Sequence, residues 1–369
     1  MTANVNTQRN SKENPRSAAL NRSRNATEIR KSILVRTKKS NGEWSNEMDI
    51  VEVDRLTKKY GTFAAVDQIS FSVHEGEIFG FLGPNGAGKT TTINLLTGLA
   101  RATSGSARVS GYDCAGEIKK AQQIMGIVPD ESNLYEEFDG FENLSFCAAL
   151  YGLQKDEREK KAKELLETFG LTEAGRKPFR AYSRGMKRKL TIAAGIIHDP
   201  KILFLDEPTT GVDVASARQI RQLIQKLNQK GTTIFLTTHY IEEAERLCNR
   251  IAFIVGGKIV RIGHLDELMR EVQQENVVQF AFADGVSNLK PSIQENFPDV
   301  VVEVPENQAL RIRSSRPMNL TPFMRFFEQR NLPVYEARIM RPSLEEVFVK
   351  ITGIELQKMK QEKEGKGKQ

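Results

Sequence analysis

The segment GPNGAGKTT (Gly83–Thr91) limits what this chain can fold into more tightly than any other part of it. It fits the pattern G-x-x-x-x-G-K-[ST], with the strand-like EIFGFL before it and the helical TTINLLTG after it. A strand, a tight glycine loop and a helix in that order open an α/β fold with a parallel sheet. The glycines let successive backbone N–H groups converge on phosphate oxygens at a helix N-terminus, where the helix dipole also favours an anion. On this reading Gly83, Pro84, Asn85, Gly86, Ala87, Gly88, Lys89, Thr90 and Thr91 line the cradle. Lys89 reaches the β- and γ-phosphates, and the Thr90 hydroxyl binds Mg2+.

A phosphate cradle alone does not separate a GTPase, a kinase and an ATPase. The run ILFLDEP narrows the choice by placing Asp206 and Glu207 at the C-terminal end of a buried strand, the edge of an α/β sheet where ligands bind. Asp206 can hold magnesium through water, and Glu207, one residue on, can orient or deprotonate an attacking water. No N-K-x-D stretch of a guanine reader occurs. KILFLD (201–206) and TTIFLTTH (232–239) are short continuous apolar runs, as expected of strands covered on both faces. Between them VASARQIRQLIQKLNQK reads as a crossover helix. Ala162, Leu165, Leu166 and Phe169 recur at helical spacing, as do Phe141, Leu144, Cys147 and Tyr151. From about Leu265 the pattern changes to β-α-β-β-α-β and closes with the helical PSLEEVFVKITG, which suits a small α+β domain of ferredoxin-like type.

The net charge of +7 suggests a nucleic-acid or membrane-surface partner until it is located. Residues 1–47 hold ten Lys/Arg against four Asp/Glu, and 354–369 hold five Lys against three Glu, which leaves −1 on 48–353. The body is near neutral, so no specific nucleic acid is expected. Residues 1–47, rich in Asn, Ser, Arg and Lys without an apolar period, read as a disordered extension, and 354–369 as a charged disordered tail. Met48, directly before an alternating strand, is a second candidate start. Cys114, Cys147 and Cys248 lie far apart and the four histidines are scattered, which argues against a zinc site and for a reducing compartment. The longest apolar runs fall well short of the ~18 residues of a membrane span, and no signal-peptide core follows the start. The chain is expected to be soluble, or peripheral through a partner.

Over residues from about 50 to 264 the chain resembles the ATP-binding cassette ATPases, the nucleotide-binding subunits of ABC transporters. Tyr60 in KKYG matches the aromatic residue that stacks on adenine, and IMGIVPD (124–130) overlies the glutamine loop. YSRGMK (182–187) overlies the LSGGQ signature, Gly211-Val212-Asp213 the D-loop, and His239 the switch histidine. The resemblance implies a P-loop core sheet of RecA-like type, an antiparallel β subdomain and a helical subdomain at about 131–198, all within 48–264, with an accessory α+β domain at 265–353. It implies two cassettes facing head to tail, as a homodimer or a heterodimer with a second ABC subunit, each capping the partner's ATP with Ser183 and Gly185, and Asp213 nearby. Glu207, His239 and Lys89 would be catalytic, and Thr90, Asp206 and Asp130 would serve Mg2+. Lys187, Arg188 and Lys189 are expected on a solvated or interdomain face. The membrane would be reached through separate transmembrane permease subunits, from its cytoplasmic face. The YS-x-GM signature and the C-terminal domain resemble the multidrug-exporter type. Two departures stand out: Asp130 at the glutamine position lacks the amide, and Arg184 replaces a glycine. Asp130 leaves room for a low-turnover nucleotide-dependent regulator, and the basic extension for a cassette ATPase acting on nucleic acid or ribosomes.

Overall fold

The structure, a computed structural model, describes residues 48–272, 276–283, 285–286, 288–340 and 343–353, together with two short paired strands, Thr37–Lys38 and Trp44–Ser45. The rest of the expected extension 1–47 and the tail 354–369 lie outside the described residues.

Strands β1 (Asp49–Tyr60) and β2 (Phe63–His74) form an antiparallel hairpin, β3 (Ile78–Leu82) enters the core, and α1 (Lys89–Leu96) follows the glycine loop. Strands β4 (Ser104–Val109) and β5 (Tyr112–Asp113) complete an antiparallel sheet of order β2-β1-β4-β5. After α2 (Ile118–Gln122) and β6 (Met125–Val128), the helices α3 (Gly140–Leu150), α4 (Lys155–Thr168) and α5 (Arg184–Ile196) follow. The expected apolar stripes lie on α3 and α4, where Leu144, Ala162 and Leu166 are buried. Asp139 starts α3 with a reciprocal capping box to Glu142, which satisfies two otherwise orphaned N–H groups.

The chain returns to the core with β7 (Ile202–Asp206), α6 (Val214–Gln229), β8 (Thr233–Thr238), α7 (Ile241–Leu247), β9 (Arg250–Val255) and β10 (Lys258–His264). The core sheet has the order β10-β9-β3-β8-β7-β6, parallel except for β10 at one edge. Its strands are apolar without interruption because both faces are covered. Phe79, Phe81, Phe204 and Phe235 face the antiparallel sheet, where they cluster with Phe71 at ring-centroid distances of 5.5–6.1 Å. Leu203, Leu205, Ile234 and Leu236 face the helices. The register aligns Asp206 with Thr237 and Leu82 with Thr238, so the turns after β3, β7 and β8 emerge on one rim.

Beyond α8 (Leu265–Val272) come β11 (Asn276–Phe282), α9 (Leu289–Asn296), β12 (Val301–Glu306), β13 (Ala309–Ser314), α10 (Thr321–Glu328) and β14 (Val334–Met340). Their sheet runs β12-β13-β11-β14 with every pairing antiparallel, and it packs Val278, Phe280, Leu310 and Ile312 against Phe323 and Phe327 of α10. This is the ferredoxin-like order. The last helix, α11 (Leu344–Thr352), turns back: Leu344, Val347 and Phe348 join the core of the parallel sheet, with the Phe348 ring edge-on to Phe253 at 5.4 Å. Leu268 of α8 is buried in the same core, so both ends of the accessory unit are pinned to the larger body.

Candidate active site

The glycine loop closes on itself. Gly88 holds φ 104, a region open to glycine, and a Cβ there would sit 2.4 Å from the Ala65 carbonyl oxygen. With that turn made, α1 begins at Lys89, and its buried ammonium donates to the carbonyls of Gly83 (2.9 Å) and Pro84 (3.1 Å). Thr90 is exposed and Thr91 half-buried at the same helix start.

Across the rim, β7 ends at Asp206, whose carboxylate accepts from the Thr237 hydroxyl. Glu207 then takes φ 49, a conformation that costs a non-glycine residue energy and recurs at functional sites. Its N–H donates to the Thr237 carbonyl (3.1 Å), and this turn swings the side chain inward. One Glu207 oxygen lies 3.2 Å from Lys89 Nζ. The other meets His239 Nδ1 at 2.7 Å and accepts from the Thr210 hydroxyl at 3.0 Å. Burial opposes ionisation of this carboxyl, but the His239 hydrogen bond and the Lys89 charge outweigh it and bring its pKa down to about 2. The turns after β3, β7 and β8 thus set a buried ammonium and an imidazole on either side of an ionised carboxylate.

A second group gathers at α5. Ser183 caps the helix by accepting from Met186 N at 3.3 Å. A Cβ on Gly185 would lie 2.3 Å from Ser216 Oγ, so glycine is required there for α5 to meet the start of α6. Asp213 caps α6 through Ser216 N at 2.9 Å. The Arg184 guanidinium covers Gly211, filling the space a Cβ would take. Among the described residues no hydrogen bond or ion pair joins Ser183, Gly185 or Asp213 to the glycine loop of the same chain. Tyr60 stands apart at the end of β1, more than half exposed, with Lys58 Nζ 4.9 Å above its ring.

The basic run after the signature, expected on a solvated or interdomain face, does not all face solvent. Arg188 is buried, not solvated: it donates to the carbonyls of Pro129, Asp130 (3.1 Å), Asp206 and Pro208 (3.0 Å). This one guanidinium ties α5 to the segment at Asp130 and to the end of β7. Lys187 and Lys189 are half-buried, with Lys187 Nζ 3.3 Å from Glu136. Asp130 itself is exposed. The sequence reading also passed over Glu243, a buried acid on α7 that accepts from the Thr209 hydroxyl at 2.7 Å. The available signal was its place in the first turn of the helix after His239, where the dipole favours an acid.

Comparison with known proteins agrees with this geometry. The ABC transporter family profile matches residues 66–210. The linearmycin resistance ATP-binding protein LnrL of Bacillus subtilis (strain 168) is 35% identical over 306 residues, covering 82% of this chain and 98% of that protein. The daunorubicin resistance ATP-binding protein DrrA3 of Streptomyces coeruleorubidus is 34% identical, covering 82% and 96%. Among solved structures, a dimeric ATP-binding cassette in a post-hydrolysis state, bound to ADP and Pi, superposes with a TM-score of 0.55 at 27% identity, covering 58% of this chain and 98% of that one. The chain belongs to the ABC transporter family, as one of its ATP-binding subunits. It is an ATPase with the cassette fold of that family. No helix among the described residues is long and apolar enough to cross a membrane.

Proposed function

We propose that the chain hydrolyses MgATP at sites shared between two copies and so drives an exporter whose transmembrane subunits are separate polypeptides. The observation that carries the reading is the Glu207 carboxylate held between His239 and Lys89 at the mouth of the glycine loop. Glu207 takes the proton of the attacking water, His239 keeps that carboxylate aimed, and Lys89 exchanges loop carbonyls for phosphate oxygens. Tyr60 stacks on the adenine. Ser183, Gly185 and Asp213, unconnected to their own loop, serve the loop of the opposite copy.

Magnesium fits the donor set. The Asp206 carboxylate and the Thr90 hydroxyl are hard oxygen donors, and Mg2+ is ordinarily held by one or two carboxylates together with phosphates rather than by a full protein cage. Bound there with Asp130 nearby, the ion would neutralise charge on the phosphates. An exposed aromatic cluster of Tyr135, Phe138 and Phe146, with ring centroids 5.0–6.1 Å apart, supports contact with a permease on the α3 side, at the cytoplasmic face of the membrane. The resistance proteins among the relatives support the direction of transport.

Replacing Glu207 by Gln tests the assignment. Steady-state hydrolysis should fall by roughly 10²–10⁴, the range for loss of a general base, while equilibrium ATP binding survives. Hydrolysis at the wild-type rate would remove Glu207 from this role.

A further inference from the structure

Strand β14 pairs with β11 along one edge and, among the described residues, carries no strand on the other. From Tyr335 to Ile339 every residue is exposed, Tyr335 to 74% and Ile339 to 59%. A bare edge is a row of unpaired donors and acceptors, and natural sheets often guard it with charges that repel a second strand. The charges here do the reverse. The segment reads Tyr335-Glu336-Ala337-Arg338-Ile339, which is its own antiparallel complement about Ala337.

We propose that β14 is a self-association strand, pairing antiparallel with β14 of a second copy of this chain so that Ala337 meets the partner's Ala337. Cross-strand partners must share a face, so a two-fold axis perpendicular to the sheet requires some residue to meet its own copy. Centred on Glu336 or on Arg338, the pairing opposes like charges. Centred on Ala337, it sets Glu336 against the partner's Arg338 and Arg338 against the partner's Glu336. The two faces agree with this register. Ala337 and Ile339 lie opposite Phe280 and Val278 of β11, both buried, so added apolar side chains extend the helix-covered face. Glu336 and Arg338 lie opposite Ala281 and Gln279 on the open face. That face already carries the Arg311–Gln279 hydrogen bond (2.9 Å) and the Arg313–Glu303 pair (3.1 Å). The ladder from β11 to β14 is regular from Glu336 to Met340, the stretch that holds both charges. Main-chain bonds supply the attraction and the charge order supplies the register, as in other strand additions.

The contact uses no residue of the nucleotide site and needs no nucleotide, so its failure and the failure of the proposed ATP chemistry are separable. The test is sedimentation of the full chain at ~100 µM without ATP or magnesium, a concentration that reveals even a micromolar dimer. Wild type should be dimeric. Glu336→Arg and Arg338→Glu each turn two attractive pairs into repulsive ones and should weaken self-association about tenfold or more, with circular dichroism unchanged because both residues are exposed. Mixed together, the two variants are complementary again and should recover the dimer as a heterodimer. A monomeric wild type overturns the proposal, as do single variants that dimerise like wild type or a mixture that stays monomeric. If dimers appear only after residues 354–369 are removed, the edge belongs to the chain's own tail and the proposal also falls.

Discussion

At the scale of single residues, the site depends on one carboxylate that the fold bends out of the preferred backbone region. Glu207 holds φ 49 at the end of β7, and in that turn its oxygens reach both Lys89 and His239. The same contacts make it a stability group. Its folded pKa of about 2 lies below the ordinary 4.5, so its contribution is present above pH 4.5 and is lost as pH falls toward 2. A shift of that size corresponds to roughly 3 kcal/mol at neutral pH. Urea unfolding of wild type and Glu207→Gln between pH 2 and 6 should therefore show the wild type losing stability more steeply than the variant as pH falls from about 4.5 toward 2. Equal slopes in the two proteins would mean that the ion pairs contribute nothing.

At the scale of elements, strands and helices were readable wherever burial imposes a period. KILFLD and TTIFLTTH became β7 and β8, the stripe at Ala162 and Leu166 became the inner face of α4, and the βαββαβ order became β11 to β14. The places of the glycine loop and of Asp206 and Glu207, after β3 and at the end of β7, were legible because each follows a short continuous apolar run. The partners of Arg188 were not, because a basic run open to a solvated or an interdomain face does not say which carbonyls the fold brings to it. Four carbonyls from two distant segments, 129–130 and 206–208, converge on Arg188, and no local pattern encodes that convergence. The close approach of Ser216 that requires glycine at 185 is likewise tertiary, and no local pattern encodes it. An element-scale prediction follows from Arg188. Arg188→Met keeps much of the buried stem but leaves those carbonyls without a donor, which should cost about 3 kcal/mol or more in urea unfolding. Hydrogen exchange should rise together at the Asp130 segment and the start of α5. A change of less than about 0.5 kcal/mol would reduce Arg188 to a bystander.

At the scale of the whole molecule, one chain holds a glycine loop with its Asp206–Glu207 pair and, at a separate place, a Ser183-capped helix start that among the described residues makes no hydrogen bond or ion pair to that loop. Two copies related by a two-fold axis would complete each other, and this makes an arithmetical prediction. Ser183→Arg spoils the cap a chain offers, while Glu207→Gln spoils the base a chain keeps, so each variant alone should be inactive. Mixed in equal amounts, half of the dimers formed at random contain one of each. In such a pair the Ser183→Arg chain still supplies a working loop and Glu207, and the Glu207→Gln chain still supplies a working cap, so one of the two sites is whole. The mixture should regain at most about a quarter of the wild-type ATPase rate, and the recovered rate should rise with protein concentration until pairing saturates. Activity in the Ser183→Arg variant alone would mean that each chain completes its own site. Absence of recovery, with both variants still binding ATP, would mean that the two halves do not exchange parts.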